Sequence, residues 1–124
     1  MPRRCNRRRI NQLDSSRLLS RAAVSGSGPA YFFLLMEEMI RIADEMGLPL
    51  EIAKILVLQT AKGAALLATE RDKFSASPSE LRRKVTSPGG TTEAALKVFA
   101  AKNFPQLITD ALTAARNRSK ELSE

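Results

Sequence analysis

The longest apolar pattern in the chain begins at Ala30. The run AYFFLLMEEMIRIADEM continues from there to Met46, and Pro29 stands just ahead of it. A proline is tolerated in a first helical turn, where its missing N–H would have had no partner. Gly47 follows the run and Pro49 comes two residues later, which together read as a helix C-terminus. A helix over these 18 residues has a length of about 27 Å. Its first half is apolar all round, through Tyr31, Phe32, Phe33, Leu34, Leu35 and Met36. A helix with one face in water would interrupt that run with polar positions. Burial on several sides is therefore predicted.

A second helix is predicted from about Pro49 to Glu70. It carries Ile52, Ala53, Ile55, Leu56, Val57 and Leu58, and then Ala61, Ala64, Ala65, Leu66 and Leu67. The small residues Ala61, Gly63, Ala64, Ala65 and Ala68 allow another helix to approach closely. A loop with Asp72 and Ser75 comes next. Ser77-Pro78-Ser79-Glu80 has the form of a capping box with proline at the first helical position, and it opens a short helix over SELRRKV. After the break TSPGG, Thr91 or Thr92 is expected to cap a helix over TEAALKVFAAK. Asn103 and Gln106 are spaced as a further reciprocal cap, with a last helix from about Pro105 to Leu122.

No stretch of residues 22–124 has convincing strand character, so the predicted fold is all-α: about five helices, two of them long, apolar and central, and no sheet. Two such helices in so small a domain call for a further surface to cover them. A homodimer through the apolar helices is the simplest arrangement. A monomeric bundle with those helices at its centre is the alternative.

Composition sharpens this picture. Hydrophobic residues are 44% and charged residues 27% of the 124, which suits an ordinary globular domain. The net charge is +7, but it is unevenly placed. Residues 1–21 hold Arg3, Arg4, Arg7, Arg8, Arg9, Arg17 and Arg21 against the single acid Asp14, and the remainder is nearly neutral. Residues 1–21 read as a basic tail, disordered or at most loosely helical near Leu13–Leu19. Its composition fits an organellar transit peptide, a phosphate-binding arm, or sequence never selected to fold. The chain has one cysteine, Cys5, and no histidine, so an internal disulfide, a zinc hydrolase and a histidine-based triad are all excluded. No uninterrupted apolar run reaches the roughly 18–20 residues that span a bilayer. A chain without membrane contact in the cytoplasm is expected, with organellar import the alternative that the tail leaves open. A basic-tailed nucleic-acid binder is disfavoured, because the body has no extended basic face and few aromatics for base stacking.

Two loops carry candidate chemistry. In VTSPGGTTEAAL, Val85 to Leu96, Gly89 and Gly90 allow a tight turn and close approach to a ligand, and a helix starts at the threonines. First-turn N–H groups have no partner within their helix and lie at the positive end of its dipole, so a small carboxylate fits there without any lysine or arginine. The threonine hydroxyls add donors. An ordinary helix–helix turn with a threonine cap has the same sequence. In AVSGSGPAYFF, Gly26-Ser27-Gly28 begins like a dinucleotide fingerprint, but the sixth position is Tyr31 and no apolar strand precedes it. A sharp lead into the long helix is the better account.

Taken in order, SGSGPAY, the long apolar helix ending in GLP, LQTAKGAA, SELRRKVTSPGGTTEAAL and the terminal RSKEL closely resemble the pyrroline-5-carboxylate reductase family, from about Ala23 to Leu122. The resemblance implies the C-terminal, dimerising helical domain of an enzyme that reduces 1-pyrroline-5-carboxylate to proline, the last step of proline biosynthesis. It implies that Gly90, Thr91 and Thr92 hold the substrate carboxylate and that Val85 and Ser87 line the ring pocket. The Thr92 hydroxyl is then a donor near the imine or the carboxylate, the one candidate for a catalytic part. Family members also carry an N-terminal Rossmann domain for NADP or NAD, to which the Arg-rich tail shows no match. The expected domain order is thus a tail over 1–21 and a dimerisation and carboxylate-binding domain over 22–124, with no Rossmann domain. No cofactor is expected on this chain alone, no metal, and no turnover unless a nucleotide domain is supplied. A non-catalytic oligomerisation or ligand-binding module is the alternative. The chain departs from the family at Arg83, where members usually have an acid before the K-V-T-S-P-G-G segment. With Arg82 and Lys84 it makes the surroundings of the loop more positive.

Overall fold

In the computed structural model, residues 15–70 and 76–124 are described. They form α1 (Gly28–Glu45), α2 (Leu50–Thr69), α3 (Pro78–Lys84), α4 (Thr91–Ala101) and α5 (Phe104–Ser123). A π-type turn, Ala22–Gly26, precedes α1. Among the described residues there is no strand. The all-α expectation, its five helices and their approximate bounds are therefore met. The predicted loop with Asp72 and Ser75 lies outside the described residues, as do residues 1–14.

Contacts divide the chain into two units, one formed by the described residues up to Phe32 with Phe104–Glu124, the other by Phe33–Asn103. In the first unit the π turn packs on α5. Its defining hydrogen bond runs from the Ser27 N–H to the Ala22 carbonyl at 2.9 Å, five residues apart. The Tyr31 hydroxyl donates to the Ala23 carbonyl at 2.8 Å, and Ala23 itself is buried. Residues 15–21, counted with the tail by composition, are helical and lead directly into this turn. Leu18 and Leu19 extend the helical pattern backwards, and the turn they feed has a surface to pack on.

In the second unit, α1 closes with two hydrogen bonds. The Gly47 N–H donates to Asp44 O at 3.0 Å and the Leu48 N–H to Ala43 O at 3.1 Å, with Gly47 at φ +103. This is a complete Schellman cap, and the left-handed residue it needs is the glycine that the sequence places there. On the outer surface of α1, Arg41 donates to Glu38 at 2.8 Å and Glu45 at 2.9 Å. The hydrogen bond and charge of Glu38, then those of Glu45, raise the guanidinium pKa above its ordinary value. The pair is exposed and adds little to stability.

The end of α4 corrects one expectation. Asn103 does not cap α5. It adopts φ +56 and ends α4, its N–H donating to Ala100 O at 3.1 Å. Asparagine is one of the few residues that tolerates the left-handed region, so it fits a C-terminal stop as well as an N-cap. Gln106 accordingly turns forward to Asp110, at 2.8 Å, and not back.

Very little apolar surface is covered. Among the described residues the buried hydrophobic side chains are Ala23, Ala53 and Val57. Phe32 and Phe33 on α1 are 65% and 64% exposed, and Ile55, Leu56, Leu66 and Leu67 on α2 are also exposed. α2 corrects a second expectation. Its 20 residues reach a mean hydropathy of 1.4 in their most apolar window, enough to cross a membrane by length and composition. The charged Glu51, Lys54 and Lys62 break the run when it is read residue by residue, but an average dilutes them. A helix that docks between other protein helices passes the same test.

Candidate functional site

The site is built from α3 upward. Ser77 is the N-cap of α3, its side chain accepting from the Glu80 N–H at 3.2 Å, with Pro78 in the first turn. The helix ends in Arg82, Arg83 and Lys84, cations at the end where the dipole is negative. The chain then unwinds in steps. The Val85 N–H donates to Leu81 O at 3.3 Å and the Thr86 N–H to Arg83 O at 3.1 Å, while the Thr86 hydroxyl donates to Arg82 O.

Ser87-Pro88-Gly89-Gly90 forms the turn proper. The Gly90 N–H donates to Ser87 O at 3.0 Å, and Gly89 stands at φ +71. Proline second, a left-handed glycine third and a hydrogen bond from fourth to first residue define a type II β-turn. Gly90 is extended, at φ −89 and ψ −176, so its backbone would suit any residue. Its constraint is space: a Cβ there would lie 3.1 Å from the Ser87 carbonyl oxygen.

Gly90 is also the N-cap of α4, since the Ala94 N–H donates to its carbonyl at 3.2 Å. Thr91 and Thr92 are therefore the first and second helical residues, and neither is the cap that the sequence suggested. Glycine is acceptable at an N-cap, which is why the assignment shifts. The consequence is chemical. A glycine cap has no side chain to satisfy the first-turn donors, so the N–H groups of Thr91, Thr92 and Glu93 point out of the helix start uncapped by it. The Gly90 N–H is already committed to the turn. Glu93, the one acid in this first turn, pairs with Lys97 at 3.1 Å.

Of the five residues singled out from the sequence, Ser87, Gly90, Thr91 and Thr92 lie on this turn and helix start, and Val85 lies at the end of α3 just ahead of it. Val85 is 67% exposed, Ser87 and Thr91 are exposed, and Gly90 and Thr92 are half-buried. Two features were missed by sequence reasoning. One is the Glu93–Lys97 pair, whose four-residue spacing was there to be read. The other is an open cleft of about 620 Å³ bounded by Ala64, Leu67 and Ala68 of α2 and by Pro78, Leu81 and Val85. The small residues of α2 were its signal.

The Gly26-Ser27-Gly28 segment does not make a dinucleotide cradle. A helical stretch precedes it where a strand is needed, its first glycine closes a π turn, and the Tyr31 hydroxyl is turned back to Ala23 O. Among the described residues no group of His, Cys, Asp and Glu is placed to hold a metal ion.

Comparison with known proteins adds to this geometry. The pyrroline-5-carboxylate reductase dimerisation family matches residues 16–122. A pyrroline-5-carboxylate reductase of Pseudomonas aeruginosa is 52% identical over 111 residues, which make up 90% of this chain and 40% of that protein. The structure of a pyrroline-5-carboxylate reductase from Coxiella burnetii is similar at a TM-score of 0.81 with 50% identity, over 88% of this chain and 39% of that one. The crystal structure of the Plasmodium falciparum pyrroline carboxylate reductase with NADP bound gives 0.81 at 32% identity, over 88% and 40%. The chain spans about 40% of the length of the curated relatives it matches.

Proposed function

The chain belongs to the pyrroline-5-carboxylate reductase dimerisation family, and on that premise we propose that its SPGGTT turn holds the carboxylate of 1-pyrroline-5-carboxylate while its apolar helices join two copies of the chain. The uncapped first turn of α4, set behind a type II turn, is the observation that supports the carboxylate site. Three backbone donors converge where the helix dipole is positive, and a negative group there gains both hydrogen bonds and dipole attraction. Gly90 lets the anion come close to the backbone, and the Thr91 and Thr92 hydroxyls supplement the amides. Val85 and Ser87 then border the ring, and the Thr92 hydroxyl is a donor near the imine or the carboxylate.

The reaction in this reading is reduction of the substrate C=N bond to give proline. NADPH or NADH supplies the hydride to the carbon of the protonated C=N bond, whose electron pair moves to nitrogen and leaves the amine of proline. The described residues do not fit the dinucleotide, so this chain's part is to bind and orient the acid, and turnover requires a nucleotide-binding domain besides them. Exposed Phe32, Phe33, Ile55 and Leu56 supply the surface for a homodimer. The reading includes a cytoplasmic location, with organellar import the alternative that the basic composition of residues 1–21 leaves open.

Titration of L-proline into the purified chain tests the site. Wild type is expected to bind, and Thr92→Val and Gly90→Ala to bind about tenfold more weakly, the worth of one hydrogen bond to a charged group. Equal affinity in all three chains, or no binding by wild type, overturns the assignment.

A further inference from the structure

Glu93 occupies the third position of α4, with its carboxylate on the same turn as the three free donors. Glutamate at that position ordinarily reaches back to the N-cap N–H. The Gly90 N–H is already used by the turn, so the donors left at that helix start are the first-turn amides. The dipole draws it there as well. Because it is tethered, it competes with any incoming carboxylate at a high effective concentration. In this structure it does not reach back. Its Oε1 lies 3.1 Å from the Lys97 Nζ, one turn further along. The Glu93 side chain is only 34% exposed, whereas that of Lys97 is 75% exposed. The lysine thus reaches in from solvent to hold a carboxylate that lies partly against the protein.

We propose that Lys97 is a positioning residue: by holding Glu93 it keeps the first turn of α4 open to a carboxylate ligand. The inference rests on the assignment of that turn as a carboxylate site. Glu93 then has two arrangements, one on Lys97 and one on the helix start. Ligand affinity scales with the fraction of chains in the first. An exposed pair of this spacing and polarity shifts such a balance about two- to threefold. Lys97 acts through Glu93, and its own charge is not what the ligand meets. A lysine that attracted the ligand directly would give its effect whatever residue stood at position 93.

A double-mutant cycle on the full chain, read by amide NMR, separates these cases. Lys97→Met is expected to move the Thr91 and Thr92 amide protons downfield, as they gain the Glu93 carboxylate as acceptor, and to weaken L-proline by up to about two- to threefold. Lys97→Arg is expected to leave both readings at wild-type values. In the Glu93→Gln background, Lys97→Met should change neither. Amide shifts that do not move, or that move equally in both backgrounds, overturn the role of Lys97. Absence of proline binding by wild type overturns the site assignment instead, and the amide shifts still decide whether Lys97 keeps the turn free.

Discussion

Replacing Gly89 by alanine isolates the backbone geometry on which the candidate site depends. Gly89 stands at φ +71, and a Cβ built there meets nothing within 4 Å. Any loss of stability must therefore come from the backbone and not from a clash. An L-residue in the left-handed region costs roughly 1–2 kcal/mol. Alanine also stiffens the unfolded chain, which returns about 0.4–1 kcal/mol. The net loss is about 1 kcal/mol, and for a chain of this size that lowers the melting temperature by about 3–5 °C. Gly89→Asn serves as the control, because asparagine enters the left-handed region more readily and should recover about half of the loss. Thermal unfolding followed by circular dichroism gives the order, with protein concentration held fixed because association shifts the midpoint. The expected ranking is glycine, then asparagine, then alanine. A Gly89→Ala chain as stable as wild type, or an asparagine variant no better than alanine, would refute the type II turn and the approach to α4 built on it.

Other expectations can be checked with similar means. Tyr31→Phe removes the donor to the carbonyl of buried Ala23, and a loss of about 1–2 kcal/mol in denaturant unfolding is expected; an unchanged midpoint would mean that the tether to the π turn does not form. Ser77→Ala removes the acceptor of the Glu80 N–H and should weaken α3 by about 1 kcal/mol, seen as faster amide exchange within Pro78–Lys84 and not elsewhere. Light scattering at micromolar concentration should return twice the chain mass for wild type and the single mass for Phe33→Glu, whose side chain is 64% exposed on α1; a monomer mass for wild type contradicts the proposed assembly.

How much of this was legible in the sequence depended on how many structures each residue could serve. Gly47 followed by Pro49 admits little besides a helix stop, and the Schellman cap formed there. Ser77-Pro78-Ser79-Glu80 was equally unambiguous, and the Ser77 cap was found. Asn103 was misread because asparagine serves as an N-cap and as a left-handed stop, and only the packing around the end of a helix selects between them. The start of α4 was misplaced by one or two residues for a related reason: glycine and threonine are both acceptable caps, and the turn hydrogen bond of Gly90 decided the matter. The π turn at Ala22–Gly26 left no periodic trace. Its five residues are too few for a pattern, and what holds them is the hydroxyl of Tyr31 and packing on α5, which is distant in sequence. The candidate loop was visible as glycines and threonines next to a helix, but which N–H groups were left free was not, since that follows from the turn type.

The apolar surfaces of α1 and α2 also set a clock. At about 1 μM, association rate constants of roughly 10⁵–10⁷ M⁻¹s⁻¹ give a wait of about 0.1–10 s before two chains meet. Synthesis of 124 residues takes about 6–25 s at the usual rates of translation. At the slow end of that range, Phe32, Phe33 and Leu66 stand in water, beside a helix that meets the length and hydropathy of a membrane span, for a time comparable to the synthesis of these residues. The side chains that favour association are thus the ones a solitary chain leaves in water, so the wait for a second copy is also the time for which that surface stays uncovered.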